Sequence, residues 1–170
     1  MSPQMGRYTL DDDNAIMAAH AALRTGVHGV VIVRKTADET VNNSNVLQDD
    51  DELFFAVGAN EVWELTFIPL IDSPAIPDIK FAWGVPAGAE LYRVCIRRDA
   101  AGALQIEYAL SGGSMPSQGV AVPRIVGIEK GLYIGGVNAG NVQLQWAQET
   151  ANVSDTKVLA NSCIIAHRLA

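Results

Sequence analysis

The stretch Leu53–Pro86, LFFAVGANEVWELTFIPLIDSPAIPDIKFAWGVP, decides the fold class of this chain. Within residues 61–71, the odd positions Trp63, Leu65 and Phe67 are apolar, whereas the even positions between them are mixed. Such a two-residue period predicts a strand that is covered on one side, with these three side chains pointing into a core. The stretch has the character of the middle of a β-sandwich and shows no catalytic motif, so we expect function to reside on surfaces.

Strand patterns continue on both sides of this segment. Residues 58–60, Gly-Ala-Asn, predict a hairpin turn between strand 53–57 and strand 61–71. Further strands are predicted at 29–35, 79–83, 90–98, 103–109, 125–134, 141–148 and 157–168, the last broken in two. The polar residues 36–45 suit a linker or the edge entry to the main domain. Residues 110–122 predict a long loop without periodicity, and such loops are usually either mobile or binding elements. Short strands at this spacing, without helices between them, predict an all-β fold with an antiparallel β-sandwich or jelly-roll-like domain.

The N-terminal region has a different pattern. Residues 1–10 lack periodicity and predict an extended arm, and three aspartates at 11–13 then precede a predicted short α-helix over 14–24. The helix has an apolar stripe formed by Ile16, Met17, His20 and Leu23. A helix this short is unstable alone in water, so the stripe is our candidate for attachment to a partner. We therefore divide the chain into an N-terminal attachment segment, 1–35, and a sandwich domain, 36–170.

Composition excludes several classes of function. The chain has 170 residues, with 12 Lys and Arg against 19 Asp and Glu, which gives a net charge of −7. An acidic chain without a basic cluster is a poor binder of nucleic acid or of anionic membranes. There is no apolar run of 18 residues and no secretory signal pattern, so we expect no membrane partner and synthesis in a cytoplasm.

No motif in the sequence predicts an enzyme. The acidic runs 11–13 and 49–52 lack the spacing of a calcium loop, and we interpret them as a helix N-terminus and a solvated turn. His20 and His28 are too few and too far apart for a zinc site. His28 is instead a candidate for a contact on a threefold axis. No nucleophile elbow or phosphate loop occurs, so we predict no catalysis, no metal and no cofactor.

Aromatic and sulfur-containing residues follow the strand pattern. Trp63, Trp83 and Trp146 lie beside apolar neighbours, which favours core packing over sugar stacking. Cys95 and Cys163 each lie in an apolar run and suit buried free thiols, although a bridge between adjacent strands stays open at this point.

Two segments resemble proteins of tailed bacteriophages. Residues 20–29, HAALRTGVHG, resemble the H-x-x-L-T-T-G-V-H-G segment of tail-fibre-like proteins, with Arg24 in place of Thr. Residues 35–168 resemble a β-sandwich module of phage virion proteins. The matching pieces are TVNNSN at 40–45, LFFAV at 53–57, DIKFAW at 78–83, PAGA at 86–89 and LQWAQ at 144–148. Asn161 and Ser162 stand where the module usually has Gly-Ser before its last strand.

The resemblance implies a virion structural protein, made in the host cytoplasm and assembled as a homotrimer. Our first hypothesis is a capsid decoration (cement) protein that binds the major capsid protein or another virion protein through the stripe on the predicted helix. The alternative is a head or tail fibre, or a receptor-binding protein, whose sandwich loops contact the host surface. A third hypothesis is a carbohydrate-binding module that recognises a glycan.

Overall fold

The computed structural model describes residues 29–74, 76–98, 103–117, 120–125 and 127–170. These residues form fourteen strands, and no helix lies among them. The strands are β1 Val30–Arg34, β2 Glu39–Val41, β3 Gln48–Val57, β4 Val62–Ile68, β5 Leu70–Ser73, β6 Ile79–Gly84, β7 Glu90–Arg98, β8 Leu104–Leu110, β9 Met115–Ser117, β10 Val120–Ile125, β11 Gly127–Ile134, β12 Gly140–Ala147, β13 Thr156–Val158 and β14 Cys163–Arg168. The all-β prediction is confirmed for this part of the chain.

The strands form three sheets. One has six strands in the order β1-β14-β4-β11-β7-β8, and two have four strands, in the orders β10-β5-β13-β2 and β3-β12-β6-β9. Every pairing among the described strands is antiparallel. Pro69 divides the predicted strand 61–71 into β4 and β5, which belong to different sheets. Proline has no N–H to donate to a ladder, which is why the pairing changes at this residue.

The sheets share one apolar core. Trp63, Leu65 and Phe67 of β4 are buried, as their alternation predicts. The ring of Phe67 meets those of Phe81 and Trp83 edge to face, at centroid distances of 5.4 and 5.8 Å. Because these partners lie on β6, the contacts join the six-stranded sheet to the sheet that contains β3 and β12. This face-to-face, sandwich-like packing accounts for the burial of all three tryptophans.

The predicted hairpin at 58–60 is wrong. β3 pairs with β12, whereas β4 pairs with β11 and β14, so this turn joins two sheets rather than two neighbouring strands. Asn60 takes a positive φ of 58°, and the backbone N–H of Gly58 donates to the Glu61 carboxylate at 2.7 Å. Placing the strands in opposed layers lets Phe55 pack against Trp63 at 5.4 Å. Two apolar rows are thereby buried against each other, which a hairpin within one sheet does not achieve.

Two further segments differ from simple loops. Residues 36–45 contain β2, which is an edge strand of its four-stranded sheet. The loop predicted at 110–122 contains β9 and the start of β10, so that prediction is wrong. Both short strands, β9 and β10, contain a proline and show no two-residue period. Pairing with β6 and β5, rather than their own composition, places them in the sheets.

The predicted arm and helix, with Ile16, Met17, His20, Leu23 and His28, lie outside the described residues. β1 comes before the boundary predicted at residue 36, yet it pairs with β14 at one edge of the six-stranded sheet. The division of the chain at residue 36 stays a prediction. Among the described residues, no helix has the length and apolarity to cross a bilayer.

Candidate functional site

The alternation of β8 is inverted relative to the core. Its even residues Leu104, Ile106, Tyr108 and Leu110 are exposed, whereas the residues between them are half-buried. Tyr108 is 80% exposed. A row of large apolar side chains at a two-residue period is typical of the buried side of a strand. In β8 this row points away from the core.

β7 and β11 extend the apolar row into a surface. The strand register places Ile106 beside Ile96 and Ile96 beside Ile128, and it places Leu110 beside Tyr92. We call this surface the inverted face and define it by nine large apolar side chains that are 40 to 80% exposed. They are Tyr92, Ile96, Leu104, Ile106, Tyr108, Leu110, Ile128, Leu132 and Ile134. The face is an exposed apolar patch on an otherwise acidic chain.

Few charges interrupt the inverted face. At its margin, the Tyr92 hydroxyl donates a hydrogen bond of 2.5 Å to the Glu90 carboxylate, and this bond raises the pKa of Tyr92. Lys130 lies between the apolar rows, and its Nζ is 3.4 Å from the Glu64 carboxylate on the neighbouring strand β4. The two described charges on the three strands' outward side are therefore of opposite sign.

The inner side of the same strands carries buried polar side chains beside the core residues Leu91 and Tyr133. Arg93 of β7 donates to Glu129 of β11 at 2.8 Å, and Trp83 donates to the same carboxylate at 2.5 Å. Arg93 also donates to the backbone carbonyl of Gly113. Burial raises the pKa of the Glu129 carboxyl, and the positive charge and hydrogen bond of Arg93 oppose this shift. At this end of the sheet, buried charged side chains therefore lie on the inner side and exposed apolar side chains lie on the outer side.

Two more residues of β7, Cys95 and Arg97, also face the inner side of the sheet. Arg97 and Glu107 form an ion pair at 2.5 Å across β7 and β8. Between the two arginines, burial and the charge of Glu129 raise the pKa of the Cys95 thiol to about 11. Cys95 and Cys163 are both free thiols, so the open question of a bridge is answered for this structure. A thiol with so high a pKa is a poor nucleophile at neutral pH.

A shallow cleft opens where the inverted face meets the end of β8. Its volume is about 350 Å³, and it is lined by Tyr92, Arg93, Tyr108, Ala109 and Leu110. The two tyrosine rings and Leu110 make its wall largely apolar. A cleft of this size accommodates one large side chain or a small ligand.

A second buried ionic cluster lies at the opposite end of the sheet. Lys35, 1% exposed, follows β1 and contacts the carboxylates of Asp50 at 2.8 Å and Glu39 at 2.7 Å. Burial by itself lowers the pKa of Lys35, but the hydrogen bonds and charges of Asp50 and Glu39 outweigh it and raise the pKa. The solvated turn predicted at 49–52 is wrong, because these residues belong to β3 and Asp50 is 2% exposed. Local composition cannot reveal this role, since Lys35 is distant in sequence.

The described residues contain no group of three or more His, Cys, Asp or Glu side chains that could hold a metal ion. The predicted attachment residues lie outside the described part of the chain. Sequence reasoning missed that face. The alternation of apolar and polar residues that indicates this face is present in the sequence of β8, LQIEYAL. It is also present in β7, where Arg93 and Arg97 lie on the opposite side of the strand from Tyr92 and Ile96.

No protein-family model and no curated protein sequence matches the chain. Among solved structures, the chain is similar to one of infectious bursal disease virus, Gt strain, with 10% identity and a TM-score of 0.19, over 83% of this chain and 39% of the matched one. A structure of the Gx strain gives 8% identity, a TM-score of 0.18 and the same coverage. The chain spans about two fifths of the length of these matched chains. TM-scores this low do not indicate a shared fold.

Proposed function

We propose that this chain is a virion structural protein that acts by binding, as a decoration protein on the capsid surface. The observation that supports this most directly is the inverted face, a broad apolar surface carried by a rigid antiparallel body. Exposed apolar patches of this kind mark protein contact sites. The resemblance of residues 20–29 and 35–168 to phage virion segments agrees with such a role.

The proposed mechanism separates attachment from scaffold. Residues 1–28 bind the major capsid protein or another virion protein, with Ile16, Met17, His20 and Leu23 as the buried contact. The β domain supplies a stable body, and association into a trimer places three attachment segments on one particle. Multivalent attachment makes weak single contacts strong, because the second and third contacts form at high effective concentration.

A binding experiment with capsids tests this function. Purified full-length protein is mixed with capsids that lack it, taken from the virus that encodes the chain, and binding is measured by co-sedimentation. We expect saturable binding, and we expect Leu23→Asp to weaken it because a charge then enters the predicted apolar stripe. Ala18→Asp, on the opposite side of the predicted helix, is the matched control and should bind like the unmodified protein. Absence of saturable binding, or equal binding by both variants, contradicts the proposal.

One observation favours a second candidate, a receptor-binding role at the host surface. Tyr92 and Tyr108 are exposed and line the cleft at the end of β8. Tyrosine rings beside a shallow cleft suit stacking against a sugar. Binding of the purified protein to host-surface polysaccharide, lost in Tyr108→Ala, is the expected result for this candidate. Tight capsid binding without polysaccharide binding favours decoration instead.

A further inference from the structure

We propose that the inverted face is the surface through which copies of this chain pack against one another. The proposal rests on the trimer in the proposed function and names the surface that builds it. Four features of the structure carry it: the phase of the apolar residues, the area that they present, the charge around them and the position of β8 at the end of the sheet.

The phase of β7 and β8 indicates that their outer side is covered in the assembled protein. Leu104, Ile106 and Tyr108 point outward, while Arg93 and Glu107 of the same strand pair face the inner side. In a sheet that is covered on one side, the apolar row faces the core and the polar row faces water. In β8 both rows are reversed, so its apolar side chains are removed from water only if a partner covers the outer side.

The exposed area is that of one partner in a stable interface. A fully exposed large side chain presents roughly 150–200 Å². At the exposed fractions of the nine residues, the inverted face presents roughly 700–900 Å² of surface. The largest patch on a typical monomer is about 300–600 Å². One side of a standard protein–protein interface is about 800 Å².

Charge favours a second copy of this chain as the occupant. The chain has a net charge of −7, so two copies repel each other wherever their acidic surfaces meet. The inverted face carries one described anion, Glu90, at its margin and one cation, Lys130, in its centre. Copies that meet through this face therefore bring few like charges together.

The position of β8 supports the same partner. β8 ends the six-stranded sheet, and its outward side chains are all apolar. The cleft beside Tyr108 and Leu110 offers a socket for a side chain of the neighbouring copy. Around a symmetry axis, each copy then buries this end of its sheet.

The test measures the mass of the full-length protein in solution by light scattering and analytical ultracentrifugation. The unmodified chain should have three times the monomer mass of 18.1 kDa. Tyr108→Glu and Ile106→Glu each place a charge in the interface and should raise the concentration of half-dissociation by at least about 30-fold, as expected for the loss of one strong contact. Circular dichroism of each variant checks that the fold is retained. Two variants are used so that the test still stands if one of them misfolds.

Val137→Glu is the matched control, because Val137 is 79% exposed but lies in the loop between β11 and β12. It should associate like the unmodified protein. An unmodified protein that is monomeric at about 100 µM would overturn the inference. Residues 1–28 or another virion protein would then be the group that covers the inverted face. Folded Tyr108→Glu and Ile106→Glu variants that keep the unmodified mass would overturn it as well.

The inference and the proposed function fail in different ways. An oligomer that dissociates in both variants but does not bind capsids leaves the inference standing and removes the decoration role. A monomer that binds capsids removes the inference and the trimer, and leaves attachment to the capsid standing.

Discussion

β4 and β8 belong to the same six-stranded sheet and have the same strict alternation, yet they present it in opposite directions. In β4, the apolar residues Trp63 and Leu65 face the core and Glu64 faces outward. In β8, Ile106 and Tyr108 face outward and Glu107 faces the inner side. The difference teaches that a period identifies which side of a strand carries the apolar row, and that only the placement of the strand shows whether this row faces the core.

Trp63→Ala should lower the free energy of unfolding by roughly 3–5 kcal/mol, because it opens a cavity in the core. The indole packs against Phe55 at 5.4 Å, and its N–H donates to Glu61 at 2.9 Å. Glu64→Ala, the next residue on the outer side of β4, is the control and should change stability by less than about 0.5 kcal/mol. Urea denaturation of both variants measures the difference. Equal losses would show that β4 does not have one buried and one exposed side.

Arg93→Met should cost about 3 kcal/mol at neutral pH, since it leaves the buried Glu129 carboxylate without its cation. Burial already raises the pKa of Glu129, and Arg93 is a group that opposes this rise. An acid whose pKa is higher in the folded state takes up protons on folding, so stability increases as the pH falls. The deficit of the variant should therefore shrink in acid.

Urea midpoints at about pH 7 and pH 5 measure this deficit. A double variant, Arg93→Met with Glu129→Gln, should recover most of the loss, because a neutral amide can still accept the Trp83 N–H. A deficit that does not depend on pH, together with no recovery in the double variant, would contradict a charge-based role for Arg93.

The Lys35 cluster should affect stability in alkaline solution, with a smaller effect. The pKa of Lys35 in the folded protein is raised, because Asp50 and Glu39 outweigh the opposing effect of burial. The ion pairs of Lys35 therefore contribute their full stabilisation below the pKa of lysine in the unfolded chain, about 10.4. This contribution is lost as the pH rises through the pKa of Lys35 in the folded protein. The stability gap between the unmodified protein and Lys35→Met should narrow above about pH 10, as followed by urea midpoints. A constant gap up to about pH 12 would rule out the linkage.

The sequence predicts the regular part of this structure because local pattern and burial agree there. The row at Trp63, Leu65 and Phe67, the strands of the core and the buried tryptophans follow from alternation alone. Sheet assignment does not follow, since the turn at 58–60 is compatible with a hairpin and with a connection between layers. The partnership of Lys35 with Asp50 and the outward phase of β8 depend on contacts distant in sequence. Such contacts become visible only when the strands are placed.

Ile106→Thr is the smallest expected effect and the sharpest test of the inversion in β8. Threonine keeps a β-branched side chain that suits a strand, so the change removes apolar surface with little effect on backbone preference. Ile106 is exposed in the isolated chain, and at concentrations where the protein is monomeric the free energy of unfolding should change by less than about 0.5 kcal/mol. At concentrations where copies associate, stability includes the free energy of association, and the same substitution should then lower the unfolding midpoint. A loss that does not depend on concentration would mean that Ile106 packs within its own chain, whereas a loss that grows with concentration is the signature of a residue buried between copies.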